Sequence, residues 1–171
     1  MAVETAFVSM LLLTILYSIV ETSFLMRDGI VVSAASRAGA RMASSLPRDP
    51  SFSSSAKDQV ANALSGMVMS RVTKVWIFKA DATTALPDSG NYTSCTTCNK
   101  YVWDVPTSKF VASYTGWAAL NQNACQGSQD QLGVLVEYSY PSRLGFLWNN
   151  KVLREATVMR LEPYTGIGVC K

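Results

Sequence analysis

The chain contains no histidine. That absence removes the commonest general base and the commonest zinc ligand together. Ser-His-Asp and Cys-His nucleophile arrangements are excluded, and no constellation of Lys, Asp or Glu stands in for them. Charge is also scarce: 16% of the 171 residues are charged, and the net charge is +3. There is no basic footprint of the kind that binds nucleic acid. The expectation is a protein that is not an enzyme, with no catalytic, metal or cofactor-binding residues, no cofactor and no nucleic-acid partner. Cysteine is missing until Cys95, and all four cysteines (Cys95, Cys98, Cys125 and Cys170) fall in the C-terminal half.

The scarcity of charge is uneven. From Thr5 to Val20 there is no charged residue, and Glu4 and Glu21 bracket the gap. Thr5 to Met26, as a helix rising about 1.5 Å per residue, is roughly 33 Å long and long enough to cross a bilayer. Leu11, Leu12, Leu13, Ile15, Leu16, Ile19 and Val20 surround the axis and do not form one stripe. A helix apolar all round is buried on every side, by lipid or by protein. No basic region precedes the run and no small-residue cleavage site closes it, so it does not have the form of a secretory signal. The helical pattern continues through Ile30, Val31, Ala34, Ala35, Ala38 and Ala43 until Pro47 breaks it. One helix is expected from about Ala2 to about Ser45, apolar in its first half and amphipathic in its second, with Gly29 as the place for a bend. Residues 1–46 then form a membrane or filament-core segment, and residues 47–171 a globular head.

In the head, Ser55 followed by Asp58 is expected to cap a short helix carrying Val60, Leu64, Met67 and Val68 on one face. VTKVWIFKAD and KYVWDV are rich in β-branched and aromatic residues and are expected as strands. TTALPDSGNYTSCTTCN is a polar loop with a glycosylation triplet at Asn91, and ASYTGWAALNQNACQGSQDQLG a second loop with a helical turn. GVLVEYSY alternates, with Val134, Val136 and Tyr138 on one face and Leu135, Glu137 and Ser139 on the other. REATVMRLEP is a less regular strand. The fold class is therefore α+β: a long N-terminal helix packed on a small antiparallel sheet. The small residues Ala34, Ala35, Ala38, Gly39 and Ala43 would let that helix lie close to the sheet.

An even cysteine count behind a membrane-like segment implies an oxidising compartment and two disulfides. Cys95 and Cys98 sit in a Ser/Thr-rich loop and not at the start of a helix, which argues against a redox motif. Asn99 stands where a c-type haem site needs histidine, and there is no second close pair to complete a four-cysteine zinc site. Closing long loops constrains the unfolded chain more than closing short ones. Cys95 and Cys98 are therefore each expected to bridge to Cys125 or Cys170.

The stretch VETAFVSMLLLTILYSIVETSFLMRDGIVVSAASRAGARMAS resembles the N-terminal signature of TadE-like proteins, pilin-like or minor-pilin components of the tight adherence (Tad, Flp) pilus. The pattern falls on Val3, Glu4, Phe7 to Val20, Glu21, Arg37, Gly39, Ala40 and Arg41. LGVLVEYSYPSRLGFLWNNKVLREATVMRLEP resembles the closing strand pair of the family. VWIFKA and CNKYVWD resemble segments of its cysteine-containing branch. In the family pattern the glutamate falls fifth after the peptidase cut; here Glu4 is fourth, and no basic leader ending in glycine precedes Met1. The mature N-terminus is expected within a residue or two of Met1.

The resemblance implies a structural subunit of an extracellular type IV-like pilus. It would reside in the cytoplasmic (inner) membrane before assembly, meet the pilus assembly machinery, and pack with copies of itself or related pilins in a helical filament at the cell surface. Processed pilins leave a free amine near the glutamate, so the resemblance implies that Glu4 pairs with the amine of a neighbouring copy. Glu21, about 25 Å further along the helix, is expected at the membrane interface, satisfied by water or Arg27. A single-span membrane protein acting as minor pilin or assembly factor is the alternative. An adhesion module using Tyr92, Trp103, Trp117 and Trp148 is a third reading, against which those aromatics would simply be head core.

Overall fold

The structure is a computed structural model that describes residues 2–143, 145 and 150–164, with side chains from Thr5 onward. One helix, α1, runs unbroken from Ala2 to Ser44 through Gly29. A shorter helix, α2 (Phe52–Ala63), follows. Five strands complete the head: β1 (Val72–Ala80), β2 (Cys98–Asp104), β3 (Lys109–Thr115), β4 (Gln131–Pro141) and β5 (Asn150–Arg160). They form one antiparallel sheet in the order β3-β2-β1-β4-β5. The α+β expectation and the extent of the long helix agree with this architecture.

Three local expectations need correction. Residues Lys109–Thr115 form strand β3, although ASYT was expected to belong to a loop. The strand is at the sheet edge, and its polar, exposed residues carry no strong alternation; pairing with β2 makes it a strand. Second, α2 starts three residues before Ser55. The Asp49 carboxylate accepts from the Ser51 amide and hydroxyl, both at 2.7 Å, and the Ser55 amide already bonds to the Ser51 carbonyl at 2.8 Å. Asp49 thus organises the entry, and Ser55 lies within the first helical turns. Third, α2 ends at Ala63, so Val68 leaves its face and is 55% exposed.

The sheet has two differently used faces. Val75, Ile77, Tyr101, Val134, Val136, Tyr138 and Tyr140 point toward the helices, where they meet Val32, Ala35, Ala40 and Ala43 of α1 and Phe52, Ala56 and Val60 of α2. Period two on the strands and the 3.6-residue period on the helices bring these apolar sets into register. On the other face, the loop after β1 folds over Phe78, Cys98 and Leu135 and makes a second, smaller core with Trp76, Tyr92 and Val158. Gly133 pairs with Phe78 across the strands, and a Cβ there would stand 2.2 Å from the Phe78 ring.

The alternation read in GVLVEYSY is the boundary between these two cores. The aromatics also sort accordingly. Trp117 is 3% exposed and meets Phe52 edge-on at 5.5 Å. Trp103 packs edge-on against Phe110, and Tyr92 against Phe78. Trp117 is thus head core, while Trp103 and Tyr92 are half-buried and packed against it; Trp148 lies outside the described residues.

Candidate functional site at the helix–head joint

The two halves of α1 live in different surroundings. From Phe7 to Val20 the large apolar side chains stand exposed: Phe7 at 73%, Leu12 at 59%, Ile19 at 59%. From Glu21 onward the buried positions are Glu21, Asp28, Val32, Ala35, Ser36, Gly39, Ala40, Ala43 and Ser44. These recur at three- and four-residue steps, which is one face of a helix. Three sets of polar bonds fasten that face. Ser36 and Thr157 share a hydroxyl hydrogen bond of 2.8 Å. The Glu162 amide donates to the Ser44 carbonyl at 2.9 Å. Just beyond the helix, the Arg48 amide donates to Gln122 Oε1 at 2.7 Å, and the Arg48 guanidinium to the Gln122 carbonyl at 2.8 Å.

Among the small residues of the second half, Ala35, Gly39 and Ala43 make the close approach, while Ala34 is exposed and Ala38 half-buried on the outer side. A Cβ at Gly39 would stand 2.5 Å from Val60 Cγ2 of α2 and 3.3 Å from Val134 Cγ1 of β4. Gly39 is thus where α1, α2 and the sheet converge.

At the other end of the joint, the first head-facing residue of α1 is an acid. Glu21 is 1% exposed. The Tyr140 hydroxyl donates to its Oε1 at 3.1 Å, and the Arg143 amide donates to the same oxygen at 3.1 Å. A buried carboxylate is tolerated only when donors surround it, and the head supplies them. Burial, and then the bond to Glu21, push the Tyr140 hydroxyl pKa above its ordinary value, so the tyrosine remains a donor. The Arg143 guanidinium lies 4.6 Å from the centre of the Phe24 ring, one helical turn past Glu21. Sequence alone offered water or Arg27 as partners for Glu21 at the membrane interface; the head adds the Tyr140 hydroxyl and the Arg143 amide. The hydrophobic neighbours of Glu21 along the chain gave no sign that donors would arrive from β4 and its following loop. The sequence signals that could have found them are Tyr140, on the core-facing parity of GVLVEYSY, and the polar turn after it.

Glu4 lies in the first turn of α1, and its side chain is outside the described residues. It and Glu21 are not brought together: the helix separates them by roughly 25 Å.

The cysteine pairing is also corrected. Cys95 bonds to Cys98, with Cα atoms 5.9 Å apart, and not to Cys125 or Cys170. Cys98 opens β2 on the outer face of the sheet, and Cys95 comes from the loop that folds onto that face, so both sulfurs enter the small core around Phe78. A Cα separation near 6 Å suits a disulfide, and proximity in the folded loop outweighs the entropic preference for longer closures. Cys125 is disulfide-bonded as well; Cys170 lies outside the described residues. Among the described residues no group of three metal-ligating side chains converges.

Residues 1–41 match the model of a protein family described as TadE-like protein. The match takes in the exposed apolar half of α1, both glutamates and the segment that packs on the head, and stops before Ala43 and Ser44. No curated protein and no solved structure matches the chain.

Proposed function

We propose that this chain is a pilin-like structural subunit of a type IV-like tight adherence pilus, held in the cytoplasmic membrane by the first half of α1 and packed through that same half against other pilins in the extracellular filament. The supporting observation is the division of one continuous helix. Its second half belongs to the core of a head, while its first half projects with its apolar side chains exposed, and the whole is long and apolar enough to cross a membrane. Water does not tolerate such a surface, so lipid covers it before assembly and neighbouring helices afterwards. The similarity of residues 1–41 to the TadE-like model supports a pilus-associated role for that helix. In this role the protein catalyses nothing; its partners are copies of itself or related pilins and the machinery that extracts them from the membrane.

Glu4 is the residue that would set the register of packing. In a dry bundle of helices an unpaired carboxylate costs several kcal/mol, and the free amine of an adjacent subunit offsets that cost only when the helices are aligned. Glu4→Ala is expected to leave a folded, membrane-inserted protein that enters filaments poorly. Electron microscopy of purified material, counting filaments at equal subunit abundance, is the measurement. Filaments from the parent chain with few from the variant support the proposal. Micelle-bound particles from both would assign the protein to membrane-anchored assembly factors, and equal filament numbers would remove the role given to Glu4.

A further inference from the structure

We propose that the end of the head from which the apolar helix emerges is a lipid-contacting collar, in which Arg27, Arg71, Arg143 and Lys151 meet anionic headgroups. The collar rests on the membrane-inserted helix of the proposed function and specifies which surface of the head meets the bilayer.

Strand direction locates this end. Helix α1 runs beside β5 in the same sense: Ser36 meets Thr157, and Ser44 meets Glu162. Glu21 meets Tyr140, which pairs with Lys151. The start of β5 and the exit of the helix therefore share one end of the sheet. Val72, the first residue of β1, pairs with Tyr138 two positions away, so Arg71 reaches the same end. Arg27, Met67, Val68, Tyr138 and Arg143 line one hollow there.

The charge exposed at this end is positive. Arg27, Arg143 and Lys151 are exposed and Arg71 half-buried. The acids that accompany them on α1, Glu21 and Asp28, are 1% and 6% exposed. No carboxylate lies within ion-pair distance of the Arg27 or Arg143 side chain among the described residues. Asp104 and Lys109, facing one another across β2 and β3 at the other edge, balance in charge. Between the cations stand exposed apolar groups: Met26 at 66%, Val68 at 55% and Val152 at 58%. Cations interspersed with apolar side chains are the composition of a membrane interface. The end remote from the helix exit is mixed in charge: Asp81 and Asp88 on the loop after β1 stand at the same end as Arg41, Arg160 and the Lys79–Asp130 pair.

Depth agrees with charge. From Ala2 to Val20 the helix is about 28 Å long, close to the roughly 30 Å of a bilayer's hydrocarbon core. With that stretch in the core, the Arg27 backbone lies about 10 Å beyond it, a few ångströms outside a headgroup layer of roughly 5–7 Å per side, a gap that the long arginine side chain spans. Arg143, stacked on Phe24, lies nearer still.

The test uses the full-length chain in phosphatidylcholine nanodiscs and in discs where about a third of the lipid is phosphatidylglycerol. Amide hydrogen exchange is followed in residues 66–71 and 150–152, and in the remote loop 81–97. A basic residue near an anionic leaflet contributes about fivefold in binding. Exchange at the collar should slow at least about fivefold in the anionic discs and stay unchanged in the remote loop. The protection should fade toward 1 M salt, where the screening length is about 3 Å. It should also vanish in the triple variant Arg27→Gln, Arg143→Gln, Lys151→Gln, with the remote loop reporting that the head is still folded. Equal collar exchange in both lipids overturns the proposal. Protection that ignores lipid charge but grows with the number of chains per disc also overturns it, assigning the surface to a second copy. A chain that enters neither disc refutes the membrane-inserted helix itself, and the collar with it. A chain that enters both without collar protection refutes the collar alone.

Discussion

The Tyr140 hydroxyl and the Glu21 carboxylate, 119 positions apart in sequence, meet at 3.1 Å where the projecting helix leaves the head. With the Arg143 amide on the same oxygen, the contact ends the apolar half of α1 at a defined point and fixes the angle at which it departs. Removing one partner leaves the other buried and short of a bond, which costs about 1–3 kcal/mol. Tyr140→Phe and Glu21→Leu should each lower the unfolding free energy of the full chain in micelles by about that amount. The double variant should fall short of their sum by about 0.5–3 kcal/mol, as for groups in direct contact. Denaturant titration measures this; strict additivity would mean that the two groups do not support each other.

Gly39 and Gly29 lie on the same helix and should respond in opposite directions. A methyl group at Gly39 would press on Val60, which is fully buried, at 2.5 Å. Overpacking of that kind costs about 1–3 kcal/mol. At Gly29 an added Cβ meets nothing within 4 Å, and alanine gains about 0.8–1.0 kcal/mol of helix propensity. Thermal unfolding of Gly39→Ala and Gly29→Ala should therefore show a lower and a higher midpoint than the parent. A Gly39→Ala midpoint at or above the parent's would mean that α1 and α2 can move apart without loss.

Glu137 ties three strands together on the outer face of the sheet. Its carboxylate accepts from Thr73 Oγ1 at 2.9 Å and pairs with Lys74 at 2.9 Å and Arg154 at 2.6 Å. Desolvation works to raise its pKa, but the hydrogen bonds from Lys74, Arg154 and Thr73 prevail and hold it below the ordinary 4.5. A carboxyl depressed by folding contributes stability that is present above its unfolded pKa and is lost as pH falls through the folded one. Stability should thus decline from about pH 4.5 downward, with a shallower decline in Glu137→Gln. Equal slopes for the two proteins in that window would remove Glu137 from the pH response.

The Cys95–Cys98 bridge closes a ring of only four residues, for which the chain-entropy relation gives about 2 kcal/mol. Peptide mapping without reduction should recover Cys95 and Cys98 in one linked fragment, separate from Cys125. Cys95→Ser with Cys98→Ser should loosen the loop over Phe78 while leaving the helix-facing core intact. Faster amide exchange confined to residues 81–97 is the expected signature, and exchange spreading through β4 would show that the bridge supports the whole head.

Local chemistry determined much of this protein by itself. The charge-free run from Thr5 to Val20, followed by apolar positions at helical spacing up to Pro47, specifies one long helix, because helical hydrogen bonds and side-chain periodicity lie within a few residues of one another. The alternation through Val134, Leu135, Val136, Glu137 and Tyr138 likewise specifies a strand with two distinct faces. Tertiary structure alone decided what those faces and ends meet. Strand β3 exists because β2 offers it an edge. Asp49, not Ser55, organises the entry to α2 because the chain turns sharply after α1. Cys95 finds Cys98 because the loop folds down onto Phe78. Glu21 illustrates the division most clearly. Its place on the helix is written in its neighbours, but its surroundings are not: a carboxylate at the end of an apolar run faces lipid headgroups, water or protein according to which donors the rest of the chain brings within hydrogen-bond distance, and here Tyr140 and Arg143 arrive at 3.1 Å.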